Sequence, residues 1–424
     1  MRVAYYSPMP PSRSGIADYS ALLLPELEQR IDVVVARPSR FRKDPPADVA
    51  LYHVGNDAEA HGWIVEALRR RAGAGSIAGQ AGDARPEDRG ACGAPRVVVL
   101  HDFVLHHLVV GLTFSRGDAA GYLAAMEREG GLVGRLLAYA VLDNKLPPLW
   151  ETRPEDYPLA GEILRDATGL IVHSHYVEEC ARATGYDGPI VRIPHPAWPI
   201  PEIAAAKADG DPLFGCFGHL NETKRIEELV HAFARVRHRH PNARLLLVGS
   251  LAVRLARLEL PEGVEHRDYV PEDELWSLMA ACDAIVSLRS PTMGETSGSA
   301  IRALSLGKPL VVSDIGWFAE LPDEAVIKVP IDEGEEDTLA AALAALTDPS
   351  VRAKMGAAAR ELVEREHRLD RVAEAYAAAL EGLAGGAAVQ EAVLHDVARA
   401  AAETGITDTT EVAARLEEVG LGGN

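Results

Sequence analysis

The strongest constraint in this chain is a repeated unit. A short, continuous run of β-branched and aliphatic residues is followed by a polar turn and then a helical pattern. In the first half the runs fall at residues 2–6, Asp32–Ala36, Val49–Val54, Val97–His101, Gly169–His173 and Ile190–Ile193. Runs that are apolar throughout are expected of strands covered on both faces, which means a parallel sheet with helices above and below it. The segment Pro194-His-Pro-Ala-Trp-Pro-Ile-Pro201, followed by Lys207–Pro212, cannot form regular structure and reads as a linker. The unit then restarts, with strands expected at Leu213–Phe217, Arg244–Val248, Gly263–Arg267, Ala284–Ser287, Pro309–Val312 and Ala325–Val329. The fold class is therefore α/β: two doubly wound, Rossmann-like domains facing across a cleft, with ligands expected outside the strand carboxyl ends.

The expected divisions are 1–200 and 201–369, an Ala-rich helix at 370–384 closing the second domain, and an acidic helical tail at 385–424. Within the tail, helices are expected at 388–403 and 409–419. Pro25 is expected to kink the helix that starts near Ile16, or to end its first half. Residues 72–95 carry no apolar period and read as a loop after a helix ending in Arg69-Arg70-Arg71.

The charge is strongly negative and uneven. Of the formal −20, residues 1–200 carry 21 basic and 25 acidic groups (−4), and residues 201–424 carry 22 and 38 (−16). That excludes a general nucleic-acid binder, which needs a basic footprint, so no nucleic-acid partner is expected. Any anionic ligand has to be held locally by a few cations and backbone amides. Cys92, Cys180, Cys216 and Cys282 show no paired spacing and suit reduced thiols in the cytoplasm. The amino terminus reads as a strand and not a secretion signal, and no apolar run approaches the ~20 residues that span a bilayer. The clustered cations Arg40–Lys43 and Arg69–Arg71 would suit anionic lipid at the inner membrane surface, although short Arg runs in loops are more often simply solvated.

Two stretches carry the chemistry. In the first, strand Ala284–Ser287 leads through a loop to Glu295-Thr-Ser-Gly-Ser299, where a helix opens on small residues. Thr296, Ser297, Gly298 and Ser299 would offer amides and hydroxyls at the positive end of that helix, an anion site suited to a diphosphate. Glu295 beside it could accept hydrogen bonds from sugar hydroxyls. An ordinary helix cap with a solvated Glu295 accounts for this stretch about as well. In the second, strand Leu213–Phe217 ends in Gly218-His219-Leu-Asn-Glu-Thr-Lys224. Gly218 would let a ligand approach the backbone and Lys224 could neutralise a phosphate.

Together and in this order, these stretches resemble the family-four retaining glycosyltransferases of the GT-B fold. The matching residues are Gly218, Leu220, Lys224, Glu295, Gly298, Gly307, Pro309, Val311, Val312, Gly316 and Glu320. The resemblance implies diphosphate contacts from Lys224 and the amides near Gly298, and sugar-hydroxyl contacts from Glu295. It implies front-face displacement without a metal or other cofactor. His219 stands where that family usually has arginine, and Ala303 replaces the second glutamate of its E-x7-E element, which typically grips the ribose. Neighbouring Arg302 cannot accept ribose hydroxyl protons.

In the first domain the resemblance places Gly15 near the donor phosphates or the acceptor, although a glycine needed only for a tight turn fits as well. It places His101, at the end of a buried strand, near the reacting sugar. Asn56 and Asp57 are weaker candidates for the acceptor side. His106 and His107 read as packing or surface residues. His173 and His175 also end a strand but lack a third metal ligand, so no metal site is expected. The expected partners are a nucleotide-diphosphate sugar and a carbohydrate, lipid-linked or small-molecule acceptor, with oligomerisation through the tail as a further reading. The rival functions are a nucleotide-sugar epimerase of the same fold and a non-catalytic nucleotide-sugar-binding scaffold.

Overall fold

A computed structural model describes residues 1–12, 14–38, 44–78, 94–202, 204–206 and 209–385. The expectations for Arg40–Lys43, Cys92, most of the 72–95 stretch and the tail beyond Gly385 lie outside these residues. Strands β1 (Arg2–Tyr6), β2 (Asp32–Val35), β3 (Val49–Val54), β4 (Arg96–Leu100), β5 (Gly169–Val172) and β6 (Ile190–Arg192) form one six-stranded sheet. Its order is β2-β1-β3-β4-β5-β6, and each pair is parallel. Strands β7 (Leu213–Phe217), β8 (Arg244–Val248), β9 (Val264–Arg267), β10 (Ala284–Ser287), β11 (Leu310–Ser313) and β12 (Val326–Val329) form the second, in the order β12-β11-β10-β7-β8-β9. It too is parallel throughout.

The continuous apolar runs are explained by burial on both faces. Along β1, Val3 and Tyr5 pack on one side of the first sheet while Ala4 and Tyr6 pack on the other. Strand order reverses between β1 and β3 in the first sheet and between β7 and β10 in the second. At such a reversal the connecting loops splay apart and leave a crevice at the strand carboxyl ends. The loops placed there are residues 7–12 and 14 after β1, Gly55–Asp57 after β3, Gly218–Thr223 after β7 and Leu288–Ser297 after β10. The stretches singled out in the sequence therefore fall at the two positions where ligands are expected.

Three expectations are corrected. The first helix, Gly15–Glu28, runs through Pro25 without a break. Proline removes one hydrogen bond near the helix end, and the fully buried Leu27 in that last turn holds it in place. The second helix, Ala58–Ala78, continues past Arg69–Arg71. Arg69 pairs with Glu162, while Arg71 is buried, donates to the Pro45 carbonyl at 3.0 Å and lies over the Tyr6 ring. That group is not a free cationic surface. No helix of the described residues is long and apolar enough to cross a membrane.

The third correction concerns the closing helix. Leu369–Gly385 does not cap the second domain but packs on the first sheet, burying Val372, Ala373, Tyr376, Ala379, Leu380 and Leu383 against Val3, Tyr5, Leu23 and Ile171. An apolar stripe states that a helix is buried, not against which sheet. Here the face of the first sheet that holds the Gly15–Glu28 helix has room for it, and the Tyr376 hydroxyl meets that of Tyr19 at 2.7 Å.

The domains meet through backbone bonds as well. The amides of Phe103 and Val104 both donate to the Met293 carbonyl, at 2.7 and 2.9 Å. The carboxylate of Glu320 accepts from the amides of His175 and Tyr176 at 3.0 and 2.7 Å, at the positive end of helix His175–Ala183. In the linker, the Ala197 amide donates to the His367 carbonyl and the His367 ring donates back to the His195 carbonyl, each at 2.7 Å.

The Tyr19–Tyr376 bond makes a stability test. Either single change to phenylalanine leaves a buried hydroxyl without its partner and should cost about 1–3 kcal/mol. The double change should cost clearly less than the sum, as read from urea unfolding in a double-mutant cycle. Additive losses would show that the hydroxyls do not interact.

Candidate active site

A cavity of about 400 Å³ lies between the carboxyl ends of the two sheets. From the first domain it is lined by Ser14, Gly15, Ile16, Asp18 and Tyr19 at the start of the first helix, by Asn56, Asp57 and His61, and by His101, Asp102 and His173. The linker supplies His195 and Trp198, and the second domain supplies Glu295, Thr296, Gly298 and Arg302.

Two helices direct their amino ends into this space. Ser14 caps Gly15–Glu28 by accepting from the Ile16 amide, and Ser297 caps Gly298–Ser305 by accepting from the Ala300 amide. The remaining first-turn amides and the helix dipoles favour a negative group. Ser297 and Ser299 share a hydroxyl hydrogen bond of 3.1 Å, whereas the buried Thr296 hydroxyl has no partner among the described residues. Gly298 faces Trp198, and a Cβ there would stand 3.2 Å from the indole edge. Arg302, one turn on, stacks over that indole with its guanidinium 3.7 Å from the ring centroid, and it pairs with Glu272 at 3.2 Å.

The Ala303 position does not reach the cleft. Its side chain is fully buried among Ile285, Leu304, Val312 and their neighbours. Beyond Gly298, the residue of that helix that lines the cavity is Arg302.

Glu295 is held by three contacts. Arg289 pairs with it at 2.6 Å, the Met293 amide donates to it at 2.7 Å and the Thr292 hydroxyl at 3.2 Å. Arg289 also donates to the Thr223 hydroxyl at 2.9 Å, which brings a second cation beside Lys224. Sequence reasoning missed Arg289. It follows β10 in the same loop as Glu295, and its relation to β7 is set only by the sheet order. His219, in the position expected to face phosphate, is exposed and bonded to the Ser250 hydroxyl at 2.8 Å.

Lys224 does not line the cavity itself. Its ammonium is buried behind Gly218 and donates to the Phe217 carbonyl at 2.6 Å. Gly218 has a φ of 101°, and a Cβ there would stand 3.2 Å from the ammonium, so glycine both permits the turn and leaves the lysine approachable. Burial lowers the Lys224 pKa to about 8, helped by the Arg289 charge and opposed by Cys216 and Glu295.

A histidine cluster forms and backs part of the first-domain wall. His53, on β3, and His101, after β4, share a ring hydrogen bond of 3.0 Å. The ring of His101 lies 5.1 Å from that of His173, and His173 lies 5.9 Å from His195. Burial first, then repulsion from neighbouring histidines with His173 foremost, holds His53 and His101 well below the usual imidazole range. Beside them, burial raises Asp102 to about 7, with the Glu295 charge adding to the shift and the Asn56 amide and Arg289 opposing it. His173, set aside in the sequence for want of a third ligand, is thus part of the cavity wall. His175 is exposed and faces Glu178. His106 is buried against Tyr122, and His107 is within 3.3 Å of the Asn56 amide. Asn56 and Asp57 both line the cavity, yet they also cap local backbone, accepting from the Leu108 and Glu59 amides. The signal for the histidine wall was present in the sequence, as one histidine near the carboxyl end of each of four consecutive strands. Among the described residues, no three histidine, cysteine or carboxylate side chains are placed to share a metal ion.

The lysine gives a pH test. Near pH 8 the free protein carries Lys224 about half neutral, and an arriving diphosphate favours its charged form. Binding of inorganic pyrophosphate should therefore take up protons near pH 8 and weaken as pH rises beyond it. Calorimetry in buffers of different ionisation enthalpy reads both effects, and Lys224→Met should abolish the uptake. Affinity that stays flat to pH 10 would contradict the assignment.

Residues 202–362 match the model of the family described as glycosyl transferases group 1. No curated protein matches the chain. Among solved structures, sucrose-phosphate synthase from Thermosynechococcus elongatus superimposes with a TM-score of 0.60 at 16% identity, over 91% of this chain and 100% of that one. The Anabaena protein HepE, in complex with UDP and glucose, superimposes with a TM-score of 0.54 at 15% identity, over 90% of this chain and 100% of that one. The chain has the GT-B fold.

Proposed function

We propose that the protein is a glycosyltransferase that moves a sugar from a nucleotide-diphosphate donor to an acceptor hydroxyl, with retention at the anomeric carbon and without a metal. The observation that carries this reading is the cavity itself: helix amino ends from both domains and the Arg302 guanidinium meet Glu295, Asn56 and the cleft histidines around one space. The match of residues 202–362 to group 1 glycosyl transferases and the GT-B fold support the same class.

In this reading the diphosphate lies against the amino end of helix Gly298–Ser305, with Lys224 reached over Gly218 and Arg289 as a second cation. Arg289 supplies the permanent charge that His219 lacks. As the bond from the anomeric carbon to the phosphate oxygen breaks, negative charge grows on the leaving group where these donors already point. The acceptor oxygen bonds to the same face of that carbon, and its proton passes to the departing phosphate oxygen. Glu295, pinned by Arg289 and the Met293 amide, keeps lone pairs for a sugar hydroxyl. The bonds from Phe103 and Val104 to Met293 hold His101 and Asp102 opposite the donor. The acceptor is a carbohydrate, a lipid-linked sugar or a small molecule, and the protein works in the cytoplasm.

The reading is tested by incubating the full chain with UDP-glucose, UDP-galactose, UDP-N-acetylglucosamine and GDP-mannose, with EDTA present. One donor should be consumed, with product or hydrolysed sugar released first as the donor's own anomer. Lys224→Ala should lower turnover by roughly 100-fold or more. Inverted product, wild-type turnover by Lys224→Ala, or conversion of the donor into an isomeric nucleotide sugar without transfer would each contradict it.

A further inference from the structure

Three histidines in the cavity wall have their tautomer fixed by the backbone. The Nδ1 atom of His61 lies 3.1 Å from the His53 carbonyl, that of His173 2.8 Å from the Ile193 carbonyl, and that of His195 2.8 Å from the Pro196 carbonyl. A carbonyl oxygen can only accept, so each Nδ1 carries the hydrogen and donates. In a neutral ring the other nitrogen, Nε2, is then a bare lone pair that can only accept. Burial keeps these rings neutral: His61 and His173 are held down to about 4, and His195 lies well below the usual range.

All three rings line the same cavity. His61 is fully buried and His173 is 5% exposed, yet the Nε2 of each has no partner among the described residues. A buried acceptor left unmatched costs free energy, so the arrangement suits an occupant that brings donors. A shared metal ion is not that occupant, because no three such side chains are placed to hold one among the described residues. Separate acceptors spread along one wall instead suit a molecule with several hydroxyls. The facing groups complete the match, since the Gly15 and Gly298 helix ends are donors suited to phosphate.

We infer that His61, His173 and His195 form a hydroxyl-reading wall, each Nε2 accepting a hydrogen bond from a different hydroxyl of the polyol held in the cleft. This deepens the reading of the cleft as a nucleotide-sugar site and rests on it. The wall determines specificity through the positions of the hydroxyls, and a sugar lacking one of them leaves a bare buried acceptor and is rejected. The polyol is either the sugar of the donor or the acceptor.

The test is imidazole nitrogen NMR on the full chain with ¹⁵N-labelled histidine, assigned with single His→Gln variants. At pH 7 without ligand, His61, His173 and His195 should each show a protonated Nδ1 and a bare Nε2. Addition of UDP alone should leave the Nε2 resonances in place. One of UDP-glucose, UDP-galactose, UDP-N-acetylglucosamine and GDP-mannose should move them if the donor sugar is the polyol. UDP with free glucose or glycerol should move them if the acceptor is. An Nε2–H tautomer or a charged ring at pH 7 in two of the three, or Nε2 resonances unmoved in every arm, overturns the inference. Nucleotide binding is read separately from the backbone amides of Gly15 and Gly298. Movement there with UDP, but none at any Nε2, leaves the nucleotide site standing and removes the hydroxyl wall. As a second readout, His173→Phe should weaken whichever ligand moved the Nε2 resonances, the sugar nucleotide or the polyol added with UDP, about fivefold to tenfold while leaving UDP affinity unchanged. His173→Gln, which restores an acceptor, should recover most of it. Equal losses for UDP and for that ligand would show a merely structural role.

Discussion

Two helix amino ends from different domains open on one cavity, and the free amides there are the constraint around which the cleft is organised. Each end has its first donors tied back by a serine cap, at Ser14 and Ser297, and presents the rest to the space between the sheets. The chain as a whole carries a formal charge of −20, so attraction of an anion cannot come from the overall field. It comes from these dipoles and from Arg302, Arg289 and Lys224, all at least partly buried, where low dielectric strengthens their effect. The carboxylates nearby offset the two arginines in part, which leaves the helix amides and Lys224 as the donors without a paired carboxylate among the described residues. Glu295 is bound to Arg289, Glu272 to Arg302, and burial pushes Asp102 toward its neutral form.

The closed arrangement depends on where the chain crosses between domains. The linker at His195–Ala197 and the turn at His367 are hydrogen-bonded to each other, and the helix that follows returns to the first sheet. The second domain is thus anchored to the first at both of its ends. Met293 and Glu320 add backbone-directed contacts on the cleft side. Because Met293 is only two residues from Glu295, the bond that joins the domains also fixes the distance between the His101–Asp102 wall and the donor-side acid.

Much of this was legible in the sequence. Strands buried on both faces write themselves as unbroken apolar runs, and β3, β7, β8 and β10 fall where those runs predict. Gly15, His101, Glu295, Thr296 and Gly298 were expected at strand or helix ends and are brought to one cavity. The rest depended on information that periodicity does not carry. The apolar stripe of Leu369–Gly385 could not say which sheet it covers. Arg289 meets Lys224 only because β10 lies beside β7, a pairing set by topology. By the resemblance, Ala303 stands where a ribose-gripping glutamate is usual, but its side chain is buried in the core and the neighbouring Arg302 lines the cavity. The strand-end histidines could be seen in the sequence, but their meeting with His61 at one cavity needs the sheet order, and their tautomers need the carbonyls they face.

The central claim is that both domains bind one anionic ligand through their helix amino ends. Hydrogen–deuterium exchange of the full chain, with and without UDP, tests it most directly. The account predicts slowed exchange at residues 14–18 and at residues 296–300 together, at the same UDP concentration. Protection confined to one of these segments, or found only elsewhere in the chain, would contradict it.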